Sequence, residues 1–140
     1  MQKAYSASRI FTGTSWLENH TIITENETIK EITPNKQLDT RSFDNQMIVP
    51  AFIDAQVYGA AGKLLSVFPE PSSLQTMYET FRKQGTILCQ PTLATNTLDV
   101  FKKAIDAVKI YWQNGGKGIY GLHLEGPWLN EIKRGAHVKE

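Results

Sequence analysis

Hydrophobic and polar positions change rhythm part-way along the chain. Up to Ile32, short β-like runs at Ala4–Phe11, Thr21–Thr24 and Thr28–Ile32 are separated by polar turns at Thr12–Ser15 and Glu25–Glu27. Runs of this length bounded by turn residues predict strands, here a small antiparallel meander. Residues 33–45 are polar, contain Pro34 and have no period, so they read as a connecting loop.

From Met47 onward, apolar runs alternate with amphipathic stretches. Met47–Ile53, Ile87–Leu93 and Ile119–Leu124 read as buried strands, separated by about the thirty residues that a βαβ unit requires. Between the first two, Ser72 and Gln75 form a capping-box pattern, Leu74, Met77, Tyr78 and Phe81 make one apolar face, and Gly85 ends the helix. Between the last two, Leu98, Phe101, Ile105, Val108 and Trp112 recur at helical spacing until Gly115 and Gly116. The predicted architecture is α/β: residues 1–46 form the β-rich part of a small β-sandwich, and residues 47–140 form the first three β/α units of a barrel. A complete (β/α)8 barrel takes about 250 residues, so the barrel is expected to be unfinished within this chain.

Composition narrows the classes without choosing among them. The 140 residues, 41% hydrophobic and 21% charged, suffice for one ordinary core. Fifteen Lys and Arg against fourteen Asp and Glu leave a formal charge of +1, too little to attract nucleic acid or an anionic membrane. The one cysteine, Cys89, cannot make an internal disulfide, and the first residues lack the basic and apolar run of a secretory signal, so a cytoplasmic protein is expected. No apolar stretch approaches the roughly 20 residues of a membrane span.

In parallel α/β folds, reactive groups gather where strands end. Glu125, after an apolar strand and before Gly126-Pro127, suits a metal ligand or base; the alternative is a carboxylate that caps the next segment or pairs with Arg134. His123, two residues earlier, shares its strand face, which allows either a metal clamp with Glu125 or a buried, hydrogen-bonded histidine. His137 stands in a loop with Lys133 and Arg134, where it can meet an anionic group or simply face solvent. Gln56 shares a strand face with Asp54, and Gly59 and Gly62 predict a tight turn close to it. His20 reads as structural or exposed, and Cys89, inside an apolar run with no cation nearby, reads as an inert buried thiol.

Four segments, Pro50 to Gln56, Gln90-Pro91-Thr92, Gly121 to Asn130 with its Leu-His-Leu-Glu-Gly-Pro core, and Lys133 to His137, follow in an order that resembles the N-terminal third of N-acetylglucosamine-6-phosphate deacetylases of the amidohydrolase superfamily. The resemblance implies a hydrolase of amino-sugar catabolism with a (β/α)8 barrel flanked by a β-sandwich, and a homodimer when full-length. It implies that Glu125 binds one divalent metal, Zn²⁺, Fe²⁺ or Mn²⁺, together with two histidines from later strands. A later aspartate is the general acid and base, and Ala136 and His137 contact the amino-sugar phosphate. Gln56 and His123 are expected near the site. Many amidohydrolases carry His-x-His where this chain has Gln56-Val57-Tyr58, so a mononuclear site is implied. With the other ligands beyond Glu140, the 140 residues alone are expected to be inactive. The rival expectations are another amidohydrolase acting on a cyclic amide, and a truncated, non-catalytic copy.

Overall fold

The structure, a computed structural model, describes residues 1–34 and 41–137. The chain divides into two compact units, Met1–Pro50 and Ala51–Glu140.

The first unit is a five-stranded sheet: β1 (Gln2–Phe11), β2 (Trp16–Glu18), β3 (His20–Glu25), β4 (Thr28–Pro34) and β5 (Arg41–Ile48). β1 pairs antiparallel with β2 and with β3, and β3 with β4, which is the expected meander. Ala7, Ile10, Ile22 and Ile23 are its buried apolar residues. The sheet fits the β-sandwich portion expected for this region.

β5 corrects the reading of residues 33–45 as loop, insofar as they are described; residues 35–40 lie outside the described set. It runs parallel to β1, with Tyr5 opposite Arg41 and Ile10 opposite Ile48, and the register shifts between Ala7 and Arg9. Asn45, at φ 61°, sits in that shift and donates its backbone N–H to Ser8 Oγ at 2.9 Å. The irregularity sets three residues of β5, 44–46, against the single Ser8 of β1, and it obscures the two-residue period that announces a strand. Met47 and Ile48 therefore belong to β5, and the expected strand Met47–Ile53 is replaced by the end of β5 and by β6 (Phe52–Val57).

In the second unit, β6, β9 (Thr86–Ala94) and β10 (His123–Glu125) form a parallel sheet in the order β10-β9-β6. A hairpin, β7 (Gly59–Ala60) and β8 (Lys63–Leu64), follows β6. α1 (Pro71–Arg82) connects to β9 and α2 (Leu98–Gln113) connects β9 to β10. The third expected strand is regular only at its end: Ile119 makes an isolated bridge to Cys89, whose N–H donates to the Gly118 carbonyl at 2.7 Å.

The helices differ in detail from their sequence patterns. α1 begins with Pro71 just inside its start and Glu70 as a cap without a side-chain bond, so Ser72 lies in the first turn rather than capping it. Proline's fixed φ suits the first helical position. α2 is capped by Thr97, whose hydroxyl accepts from the Val100 N–H at 3.4 Å. Its buried face is Phe101, Ala104, Ala107, Val108 and Tyr111, while Leu98 and Trp112 are exposed. The small Ala104 and Ala107 belong to the buried face, so that face is offset from the stripe that the bulkier residues mark.

One cluster of Leu65, Leu74, Met77, Cys89, Leu93, Phe101, Ala104, Ala107, Val108, Tyr111 and Ile119 is the core of this unit. The strands are less covered than the sequence predicts: Phe52 and Ile53 are each 62% exposed, and Ile87 and Leu124 are also exposed. No helix among the described residues is long and apolar enough to cross a membrane.

Candidate functional site

The C-terminal ends of β6, β9 and β10 lie side by side because the three strands run parallel and in sequence order, with His123 opposite Thr92 and Glu125 opposite Ala94. Glu125, the last residue of β10, is half-buried and is the centre of a linked group. Tyr58 donates its hydroxyl to Glu125 Oε2 at 2.5 Å, and the Gln56 amide donates to the same phenol oxygen at 2.8 Å. On the other carboxylate oxygen, His137 Nε2 lies 3.4 Å from Oε1.

Thr95, just past β9, ties the back of this group together. Its Oγ1 lies 2.9 Å from His137 Nδ1 and 3.4 Å from the Glu125 carbonyl oxygen. If His137 is neutral with its proton on Nε2, that N–H faces Glu125 while Nδ1 accepts from the threonine. If it is charged, Nδ1 donates to Thr95, whose hydrogen is free for the Glu125 carbonyl. Either state keeps the ring pointed at the carboxylate. Gly126 allows this approach: its φ is 99°, and a Cβ there would collide with Thr95 Oγ1. Arg134 donates to the His137 carbonyl, which holds the loop rather than pairing with Glu125.

The electrostatics follow from these contacts. Tyr58's hydrogen bond, assisted by the charge of His137 when protonated, holds the Glu125 carboxyl below its ordinary value despite partial desolvation. The same bond raises Tyr58, whose proton is shared with a carboxylate. Cys89 is buried, and burial first, then the Asp54 charge, pushes its thiol up to about 11, as expected of an inert core cysteine.

The other expected residues are placed as follows. His123 Nδ1 lies 3.4 Å from Thr92 Oγ1. Ala136 is exposed beside His137. Asp54 Oδ1 accepts from the Gln56 backbone N–H at 3.1 Å, and His20 Nδ1 meets the Glu18 carbonyl at 2.7 Å. Sequence reasoning missed Tyr58 and Thr95 as members of the group. Tyr58 carried a signal, since it lies two residues after Gln56. Thr95 carried none, because its role depends on β9 lying between the other two strands. An open cavity of about 400 Å³ lined by Gln75, Tyr78, Tyr111 and Lys117 contains none of these strand-end residues.

A carboxylate is a hard oxygen donor, and each Glu125 oxygen keeps a lone pair beside its present partner. Yet among the described residues no three of His, Cys, Asp and Glu gather to hold a metal ion. The residues present therefore fit one corner of a metal centre and not a whole one.

Comparison with known proteins shows what a chain with this β-rich first part and these parallel strands is similar to. A family profile described as the NagA composite domain matches residues 4–42. The chain is 38% identical over 90 residues to N-acetylgalactosamine-6-phosphate deacetylase of Shewanella sp. (strain ANA-3), covering 64% of this chain and 23% of that protein. It is 30% identical over 135 residues to N-acetylglucosamine-6-phosphate deacetylase of Haemophilus influenzae, covering 94% of this chain and 35% of that one. The crystal structure of N-acetylglucosamine-6-phosphate deacetylase from Pasteurella multocida superposes with a TM-score of 0.89 at 26% identity, over 99% of this chain and 38% of that chain. The chain is thus similar over nearly all of its own length to N-acetylglucosamine-6-phosphate and N-acetylgalactosamine-6-phosphate deacetylases, and it spans little more than a third of their length at most.

Proposed function

We propose that the complete protein to which these residues belong hydrolyses N-acetylglucosamine 6-phosphate, cleaving the acetamide C–N bond with one water to give glucosamine 6-phosphate and acetate. The observation that carries this reading is Glu125, fixed at the end of β10 by Tyr58 and His137. In the proposal Glu125 is one ligand of a single divalent metal, with two histidines from elsewhere in the protein. When bound, that metal supplies Lewis acidity and water activation near neutral pH. His137 and Ala136 line the sugar-phosphate side, with Gln56 and His123 beside them, and the general acid and base is an aspartate outside these residues. Whether the metal is Zn²⁺, Fe²⁺ or Mn²⁺ depends on ligands outside the chain.

The same reading makes residues 1–46 part of a small β-sandwich and residues 47–140 the first three units of a (β/α)8 barrel. Phe52, Ile53, Ile87 and Leu124 support it, since further strands would cover these exposed side chains. A cytoplasmic homodimer is part of the proposal. A second substrate is favoured by the Shewanella relative, named for the galactosamine compound. It differs only in the configuration at one sugar carbon.

Acetate release from both sugar phosphates, with each metal added, tests the proposal on the complete gene product and on residues 1–140 alone. Turnover by the complete product, reduced more than about a hundredfold in Glu125→Gln, is expected. No turnover of either sugar phosphate would overturn the substrate, and turnover by residues 1–140 alone would overturn the placement of the remaining catalytic groups.

A further inference from the structure

We propose that Tyr58 is a positioning residue that sets the Glu125 carboxylate for the metal, with Gln56 setting Tyr58 in turn. The inference rests on the reading of Glu125 as a metal ligand and adds a device that this reading does not require.

Three observations carry it. The Tyr58 hydroxyl meets Glu125 Oε2 at 2.5 Å, the short distance of an O–H donor to an ionised acceptor. The Gln56 amide occupies the phenol oxygen from the other side at 2.8 Å, so the phenol's single hydrogen has Glu125 as its acceptor. The sheet order β10-β9-β6 then makes this bond a strap from the segment after the outer strand β6, past β9, to the end of β10, joining residues 67 apart in sequence. Glu125 needs such a strap: β10 is only three residues long, and a glutamate there has three side-chain torsions to fix.

The strap also gives a use to a departure in the sequence. At Gln56 and Tyr58 many amidohydrolases have the two histidines of His-x-His, which bind metal directly. Here an amide and a phenol stand at those two positions, Gln56 within β6 and Tyr58 just past its end. Neither is a good ligand for Zn²⁺, and both hydrogen-bond, so the pair acts on the ligand instead of on the metal. Tyr58 takes one carboxylate oxygen and His137 the other, which leaves Glu125 with a defined direction for the ion. Partners of this kind around a metal ligand typically change affinity or activity by about 10–100-fold.

Zn²⁺ affinity of the complete gene product, measured by competition with a chromophoric chelator, tests the strap, with kcat and KM followed at limiting and saturating Zn²⁺. Tyr58→Phe is expected to weaken Zn²⁺ by about 10–100-fold, to leave KM unchanged, and to regain turnover at saturating metal. Gln56→Ala, which keeps the phenol and removes its orienting partner, is expected to give a smaller loss. Wild-type affinity in Tyr58→Phe, with binding abolished in Glu125→Gln, would overturn the strap and leave the metal reading standing. Wild-type affinity in Glu125→Gln would overturn both. If Tyr58→Phe does not fold, the Gln56→Ala titration decides, and an unchanged affinity there counts against the proposal.

Discussion

Under α1 and α2, the second unit buries Leu65, Leu74, Met77, Leu93 and Ala104 to zero exposure. At the strand ends, Gln56, Tyr58, Thr95, Glu125 and His137 are all partly open to solvent and are joined one to the next by polar contacts. The first region is held by apolar contact, which has no preferred direction and tolerates other residues of similar volume. The second is held by hydrogen bonds, each of which needs one donor at one distance and angle. Stability and chemistry should therefore respond to different substitutions, although both regions hang on the same strand, β9.

The largest expected effect separates them. Leu74→Ala, at a side chain with no exposure, should lower unfolding free energy by about 2–5 kcal/mol through lost burial and the cavity left behind. Thermal or urea unfolding measures that loss, and Zn²⁺ affinity per folded molecule should be unchanged. Glu125→Gln should do the reverse, removing metal binding with little change in the melt. If Leu74→Ala altered the site while folded, the two regions would be coupled through β9 and the separation would fail.

Gly126→Ala should break the separation from the other side. Position 126 has φ 99°, and its new Cβ would meet Thr95 Oγ1, the atom that holds His137. We expect a loss of roughly 1–3 kcal/mol from the backbone conformation alone, together with weaker Zn²⁺ binding as Thr95 is displaced. Combining it with Thr95→Ala relieves the collision and not the backbone strain. The double variant should then recover part of the lost stability and none of the His137 contact. Recovery of both would mean that Thr95 does not position His137.

What the sequence made legible follows the same division. β9 and α2 could be read almost to their ends, because a largely apolar run and a 3.6-residue stripe are local patterns. β5 could not, because Arg41 and Ser42 join the sheet through backbone pairing with β1, and the bulge around Asn45 and Gln46 removes the alternation. Glu125 and His137 stood out by residue type and position. Their mutual contact, and the parts played by Tyr58 and Thr95, depend on three strands from separate stretches of chain lying in one order. That information is in no single window of sequence.

The smallest expected effect compares two hairpins, one in each unit. Both have two-residue loops with positive φ at each central position: Asn26 at 51° and Glu27 at 67° between β3 and β4, Ala61 at 49° and Gly62 at 79° between β7 and β8. This is the type I′ turn, whose favoured sequence is Asn-Gly, and each hairpin carries one half of it. The other half costs energy, since a side chain such as that of Glu27 or Ala61 in the left-handed region is disfavoured by about 1–2 kcal/mol. Glu27→Gly relieves that strain but frees the unfolded chain, which returns about 0.4–1 kcal/mol. Ala61→Asn relieves less, because asparagine keeps its Cβ, yet it adds no such freedom. Both should therefore raise stability by a similar amount, up to about 1 kcal/mol, seen as a small rise in melting temperature. The Ala61→Asn protein also bears on the site, because its hairpin directly follows the segment carrying Gln56 and Tyr58. Tighter Zn²⁺ binding by that variant alone would extend the strap into the hairpin, whereas equal binding by both would confine it to the two side chains.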